Sequence, residues 1–278
     1  GMPLKEADVN GFTLQYELSY TNILNMLELA GIPLLAQERG EEFPLILGGG
    51  PCACNPEPLA DFFDAFLLGD GEEAVLDIAR ACREWKGSGE TRESLLHRLT
   101  AVEGVYVPSL FEMSYDTSGR MESITPLKKG YETVKRRFVA DLNVATYPTA
   151  PVVPYLKTVH DRISMEIARG CTRGCRFCQA GYIYRPVRER SPEKVLEIIE
   201  QTLRNTGYDE ISLLSLSTGD YGCIAPLLRA LMARYASQRI AVSFPSLRVG
   251  SLTRELVDEV KKVRKTGFTL APEAASDR

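Results

Sequence analysis

No stretch of this chain is apolar for long enough to cross a membrane, and no leader-like run opens it, so a soluble, cytoplasmic protein is expected. Seven cysteines, an odd number without the spacing of a disulfide framework, fit a reducing compartment. No second C-x2-C or C-x2-H pair is present to complete a four-ligand structural zinc. The glycine-rich turns lack the spaced G-x-G-x-x-G dinucleotide fingerprint. What remains is an ordinary globular composition, 44% hydrophobic and 25% charged, in 278 residues that suffice for two domains.

The net charge of −4 conceals a division along the chain. Residues 1–90 hold 16 Asp/Glu against 5 Lys/Arg, whereas residues 128–190 hold 13 Lys/Arg against 5 Asp/Glu. Inside the basic third, Cys171, Cys175 and Cys178 fall at the spacing C-x3-C-x2-C. One short loop can aim three thiolates at a common point, with Gly170 and Gly174 relieving the clashes of a tight wrap. Soft thiolates at such quarters indicate zinc or an iron–sulfur cluster. Three buried structural cysteines, or a zinc knuckle completed by His160 or Cys223, are the competing readings. A basic surround suits an anionic cofactor complex, a polyanionic substrate such as RNA, or simply solvent.

With Phe177 just before its last cysteine, the motif resembles the signature of the radical S-adenosylmethionine (SAM) superfamily. The resemblance implies a [4Fe–4S] cluster on Cys171, Cys175 and Cys178, with SAM chelating the open iron. An electron supplied by a donor then yields a 5′-deoxyadenosyl radical that takes hydrogen from a substrate. The first half of the chain also shows a resemblance. Gly11–Asn22, the turn Gly49–Pro51 and Gly69–Glu73 resemble the cobalamin-binding-type, Rossmann-like domain that precedes the radical core in one branch of the superfamily. No D-x-H-x-x-G motif supplies an axial histidine, which counts against cobalamin, or requires it to bind without a histidine below the cobalt.

The order of elements supports an α/β fold: an incomplete Rossmann-like domain over residues 1–125, a basic, proline-rich connector over 126–161, and a partial parallel β/α (TIM-like) barrel over 162–278. Apolar runs near Asp8–Leu14, Phe43–Leu47, Ala65–Leu68 and Gly104–Val107 read as strands, with helices at Tyr20–Ala30, from Gly69–Glu73 to Trp85, and at Glu93–Leu99. Glu72 and Glu73 have a structural reason at the start of the second helix, and His97 reads as a helix-face residue. Phe111–Tyr115 and Met121–Ile124 flank a turn and suit a hairpin. In the second domain, Ile163–Ala168, Glu210–Leu216, Ile240–Phe244 and Gly267–Glu273 alternate with helices starting at Ser191, Ile224 and Thr253. Functional loops are expected after the carboxyl ends of these strands.

By resemblance, Ser217, Thr218, Gly219 and Asp220 stand where the superfamily contacts the methionine amino group. Glu273 and Ser276 stand where it meets the ribose or carboxylate, and Phe177 lies near adenine. Arg248 is placed to pair with the SAM carboxylate or the substrate. No catalytic residue and no substrate are named by the sequence. The chain stops after the fourth of six expected strand–helix units, so a missing carboxyl-terminal segment and self-association through an open edge are expected. A non-catalytic iron–sulfur or zinc module that binds RNA, and an inactive fragment, are the alternatives.

Overall fold

The computed structural model describes residues 1–264 and 267–272. The chain divides into two compact units that meet between Val139 and Ala140.

In the first unit, β1 (Val9–Thr13), β2 (Leu45–Gly49) and β3 (Ala65–Leu67) run parallel, and β4 (Val105–Tyr106) closes the sheet antiparallel to β3. Alternate residues divide between two cores, because strand side chains point to opposite faces. Leu45, Leu47, Ala65 and Leu67 pack with Ile78 and Cys82 of α2 (Ala74–Lys86) and with Leu95 and Leu99 of α3 (Arg92–Leu99). Ile46 and Phe66 face Ile23 and Leu27 of α1 (Tyr20–Leu29). A hairpin, β5 (Phe111–Tyr115) with β6 (Met121–Pro126), follows.

The 126–161 stretch is shared between the units. Tyr131 lies in the first core and donates its hydroxyl to Val105 O at 2.5 Å. Arg137 binds Glu73 and Asp77 beside the start of α2, and Val139 N donates to Asp70 at 2.8 Å. Leu142 and Tyr147 instead belong to the second unit, where Arg190 hydrogen-bonds Leu142 O and stacks over the Tyr147 ring.

The second unit is built on β7 (Ile163–Glu166), followed by β8 (Ala168–Arg169), α4 (Ala180–Ile183) and β9 (Arg188–Glu189). Next come α5 (Pro192–Thr206), β10 (Glu210–Leu214), α6 (Ile224–Tyr235), β11 (Ala241–Ser243), β12 (Leu247–Arg248), α7 (Arg254–Val260) and β13 (Leu270–Ala271). Ser191 caps α5 by accepting from Lys194 N, with Pro192 in the first turn and Gly207 left-handed after the end. The parallel sheet has the order β11-β10-β7, and the fourth expected strand, β13, pairs with β12. Phe244-Pro245-Ser246 explains the split: proline cannot donate to a ladder, so the third strand path breaks into β11 and β12. Among the described residues, no helix is long and apolar enough to cross a membrane.

The free side of β7 is met by one hydroxyl. Tyr147 Oη donates to Ser164 O and accepts from Glu166 N at 3.3 Å. Tyr147→Phe is expected to cost about 1–2 kcal/mol and to speed amide hydrogen exchange at Glu166. Unchanged exchange there would show that the hydroxyl does not protect that edge.

Candidate functional site

The cysteine loop leaves the carboxyl end of β7 through β8 and returns through β9, and the pairing of Ala168 with Glu189 and Arg169 with Arg188 closes its stem. At the neck, Gly170 has φ +92°, and a Cβ there would lie 2.6 Å from Tyr184 O and 2.7 Å from Pro186 O. Only glycine fits that approach. Gly174, with φ +69°, turns the loop between Cys171 and Cys175. Cys178 N donates to Cys175 O at 3.0 Å, which folds the last two cysteines into one turn. All three thiols are free and half-buried.

Arg173, inside the motif, ties the loop to the turn after β10. Its Nε donates to Asp220 Oδ2 at 2.7 Å, and its Nη2 pairs with the other carboxylate oxygen. The same carboxylate accepts from Ser217 Oγ at 2.5 Å. The hydrogen bonds from Arg173 push Asp220 down to about 2, against the opposing effect of burial and with further help from Ser217 and the nearby charge of Arg248. Below Asp220 the turn is anchored by Thr218, which is buried with its Oγ1 3.0 Å from Ser215 Oγ. Gly219 abuts Ser251, where a Cβ would come within 2.5 Å.

Between loop and turn lies a cleft of about 460 Å³ whose lining includes Cys171, Thr172, Arg173, Glu189, Ser215, Ser217 and Asp220. The structure therefore brings Cys171 together with Ser217 and Asp220, and Thr218 and Gly219 support that turn from below. Arg248 stands close enough to act on Asp220, and its Nε is buried without a hydrogen-bond partner. Phe177 is 69% exposed and stays outside the cleft. Glu273 and Ser276 lie outside the described residues.

Three of these features were not read from the sequence. Arg173 could have been noticed as a cation within the motif, and Ser215 as a strand-end hydroxyl. Glu189, which also accepts from Gly222 N at 2.9 Å, gave no periodic signal because it arrives through the two-residue pairing of β9 with β8.

Among the described residues, no three of His, Cys, Asp and Glu are gathered around a single point. Three accessible thiols on one glycine-shaped loop fit a cubane, which takes each thiolate on a separate iron. In the first unit, the glycines at the end of β2 and just after it have packing reasons. A Cβ on Gly48 would meet the Phe66 ring at 2.6 Å, and one on Gly50 would meet Leu14 O at 3.1 Å. The two histidines lie elsewhere, His97 on α3 and His160 before β7, so these turns offer cobalamin no axial histidine.

Residues 1–108 match the family described as radical SAM proteins, N-terminal, and residues 165–278 match the radical SAM superfamily. The uncharacterized protein MJ0966 of Methanocaldococcus jannaschii is 28% identical over 278 residues, covering 99% of this chain and 51% of that protein. The threonylcarbamoyladenosine tRNA methylthiotransferase MtaB of Bacillus subtilis is 28% identical over 151 residues, 52% of this chain and 31% of its own length. The chain thus spans about half or less of these relatives. The radical SAM methyltransferase TsrM from Kitasatospora setae, solved with cobalamin and a [4Fe–4S] cluster bound, superposes with a TM-score of 0.58 at 14% identity. That likeness covers 95% of this chain and 48% of TsrM, and it establishes a shared fold. Motif, fold and both family matches agree: the chain belongs to the radical SAM superfamily, with a radical SAM domain at residues 165–278 behind a radical SAM amino-terminal domain at residues 1–108.

Proposed function

We propose that this chain forms the cofactor-binding part of a radical SAM enzyme, with Cys171, Cys175 and Cys178 holding a [4Fe–4S] cluster and SAM lying in the adjoining cleft. The observation that carries the reading is the cleft itself, where Cys171 faces Ser217 and Asp220 across about 460 Å³. A cluster held by Cys171, Cys175 and Cys178 would supply one electron to the SAM sulfonium, breaking its C5′–S bond to give methionine and a 5′-deoxyadenosyl radical. The protein's part is positional. The β8–β9 stem and Gly170 hold the loop, and Arg173 joins it to the Ser217–Asp220 turn. Ser217 and Asp220, which line the cleft with Thr218 and Gly219 supporting their turn, are assigned to the methionine end, while the open valence of Arg248 suits a carboxylate. Phe177 is the aromatic group next to the thiolates and is assigned to adenine; Glu273 and Ser276 are assigned to the ribose or carboxylate by resemblance.

One relative acts on tRNA, and a basic surround is compatible with RNA, so RNA is the first class to try.

Anaerobic reconstitution, followed by EPR of the reduced protein with and without SAM and chromatography for 5′-deoxyadenosine, tests the reading. A cubane signal that shifts with SAM, with 5′-deoxyadenosine formed and both lost in Cys175→Ala, is expected. Stoichiometric zinc without iron would sink it in favour of a nucleic-acid-binding module.

A further inference from the structure

The cysteine loop has an outer face that the cleft does not use. Between Arg169 and Val187 the chain carries four arginines and no Asp or Glu. Arg169 is bound by Glu166, and Arg173 by Asp220. Arg176 stands exposed in the turn between Cys175 and Cys178, and among the described residues it has no hydrogen bond or ion pair. The Arg185 guanidinium lies 4.9 Å above the Tyr182 ring and reaches back over the loop, with Nη2 3.9 Å from where a Gly174 Cβ would stand. Tyr182 is 59% exposed. None of Arg176, Tyr182 and Arg185 lines the cleft.

Arg176, exposed between Cys175 and Cys178, and the Arg185–Tyr182 pair, which reaches Gly174, thus place cationic and aromatic side chains on the loop that carries the three thiols, on a different set of residues from those lining the cleft. Among the described residues Arg176 has no partner, and it does not line the cleft. The reaction proposed above has one unmet requirement. Each SAM cleaved consumes one electron and no proton, and the electron must come from outside the chain. Electron transfer weakens steeply with distance, so its carrier has to approach the loop that holds the thiolates while SAM occupies the cleft.

We propose that the face formed by Arg176, Tyr182 and Arg185 is the docking surface for a small acidic one-electron carrier protein. The inference rests on the radical SAM reading. The carrier is oxidised by one electron on this face, and the sulfonium in the cleft is reduced by that electron as its C5′–S bond breaks. Charge complementarity speeds such encounters and makes them sensitive to salt. Arginine and tyrosine also stack nucleobases. The carrier is favoured because Arg176 lies between Cys175 and Cys178 and Arg185 reaches Gly174, on the loop where an electron is needed whatever the substrate.

Reduced flavodoxin, an acidic one-electron carrier, serves as the probe. In Arg176→Glu, the flavodoxin-driven rate of 5′-deoxyadenosine formation is expected to fall on the order of tenfold at low salt. Arg176→Lys should keep the rate. Cleavage driven by dithionite or by reduced methyl viologen, small reductants of opposite charge, should be unchanged in both variants. Flavodoxin binding to the immobilised chain, measured with and without the cluster, should weaken by a similar factor in Arg176→Glu.

An unchanged flavodoxin rate and affinity in Arg176→Glu would overturn the proposal. So would equal slowing with all three reductants, which would place the effect on the cluster itself. Weaker binding of single-stranded RNA with flavodoxin unaffected would make the face a nucleic-acid surface instead. A wild-type chain that loads iron yet cleaves no SAM with any reductant would remove the radical reading and the docking proposal together.

Discussion

Gly170→Ala should give a chain that keeps its secondary structure by circular dichroism but loads little or no iron. The added Cβ would press on two backbone oxygens, Tyr184 O and Pro186 O, at 2.6 and 2.7 Å, from a residue at φ +92°. Backbone cannot swing aside as a side chain can, so the neck of the loop must open and the three thiols must shift with it. A graded series separates this steric effect from general loop damage. Gly174→Ala meets only the far end of Arg185, at 3.9 Å, and carries chiefly the cost of a left-handed residue, about 1 kcal/mol. Gly181→Ala meets nothing within 4 Å. Iron per chain after reconstitution should therefore fall in the order Gly181→Ala, Gly174→Ala, Gly170→Ala. Equal loading in all three would mean that the neck does not set the loop's shape.

Asp64→Ala should be the most damaging single change in the first unit, at about 3–5 kcal/mol. Its buried carboxylate takes Arg92 at 2.9 Å, Arg39 at 3.3 Å and the Ile46 N–H at 2.7 Å. Burial pulls the Arg39 guanidinium below its usual value, and the charge of Asp64 opposes that pull. The two arginines also hold carbonyls of the segments leading into β2 and β3: Arg92 those of Gly40, Phe43 and Pro44, and Arg39 those of Pro33, Leu34 and Phe62. Removing the carboxylate leaves two buried cations facing each other across these loops. Trp85, the only tryptophan, lies in α2 of this unit, so its fluorescence during urea unfolding reports the loss. A change below about 1 kcal/mol would show that the carbonyls alone satisfy both guanidinium groups. Asp64→Asn keeps an acceptor for Ile46 and should fall between.

Most elements of both units were legible because each carries a strong local signal. Leu45–Leu47 and Ala65–Leu67 are buried on both faces, Ser191-Pro192 opens a helix, and the spacing of Cys171, Cys175 and Cys178 needs nothing beyond the loop. Features that depend on distant partners were not legible. The closing of the cysteine loop by Arg188 and Glu189 rests on a two-residue antiparallel pair with no hydrophobic alternation. The pairing of β12 with β13 follows from the break at Pro245. The role of Arg173 appears only when Asp220, 47 positions away, is brought beside it. Nothing in the sequence singles out Asp64, Arg39 and Arg92, whose burial is a property of the assembled sheet.

The stem of the cysteine loop also bears on when the site can form. Arg169 pairs with Arg188, so the loop is closed by a contact about twenty residues apart, whose closure entropy is modest. The sheet order β11-β10-β7 needs contacts across far longer separations, and those form more slowly. During synthesis, the thiol loop can take its shape once the chain has passed Arg190, ahead of the strands that later complete the cleft. Metal loading and barrel assembly are thereby separable in time, and a maturation factor would meet a shaped loop before a finished domain.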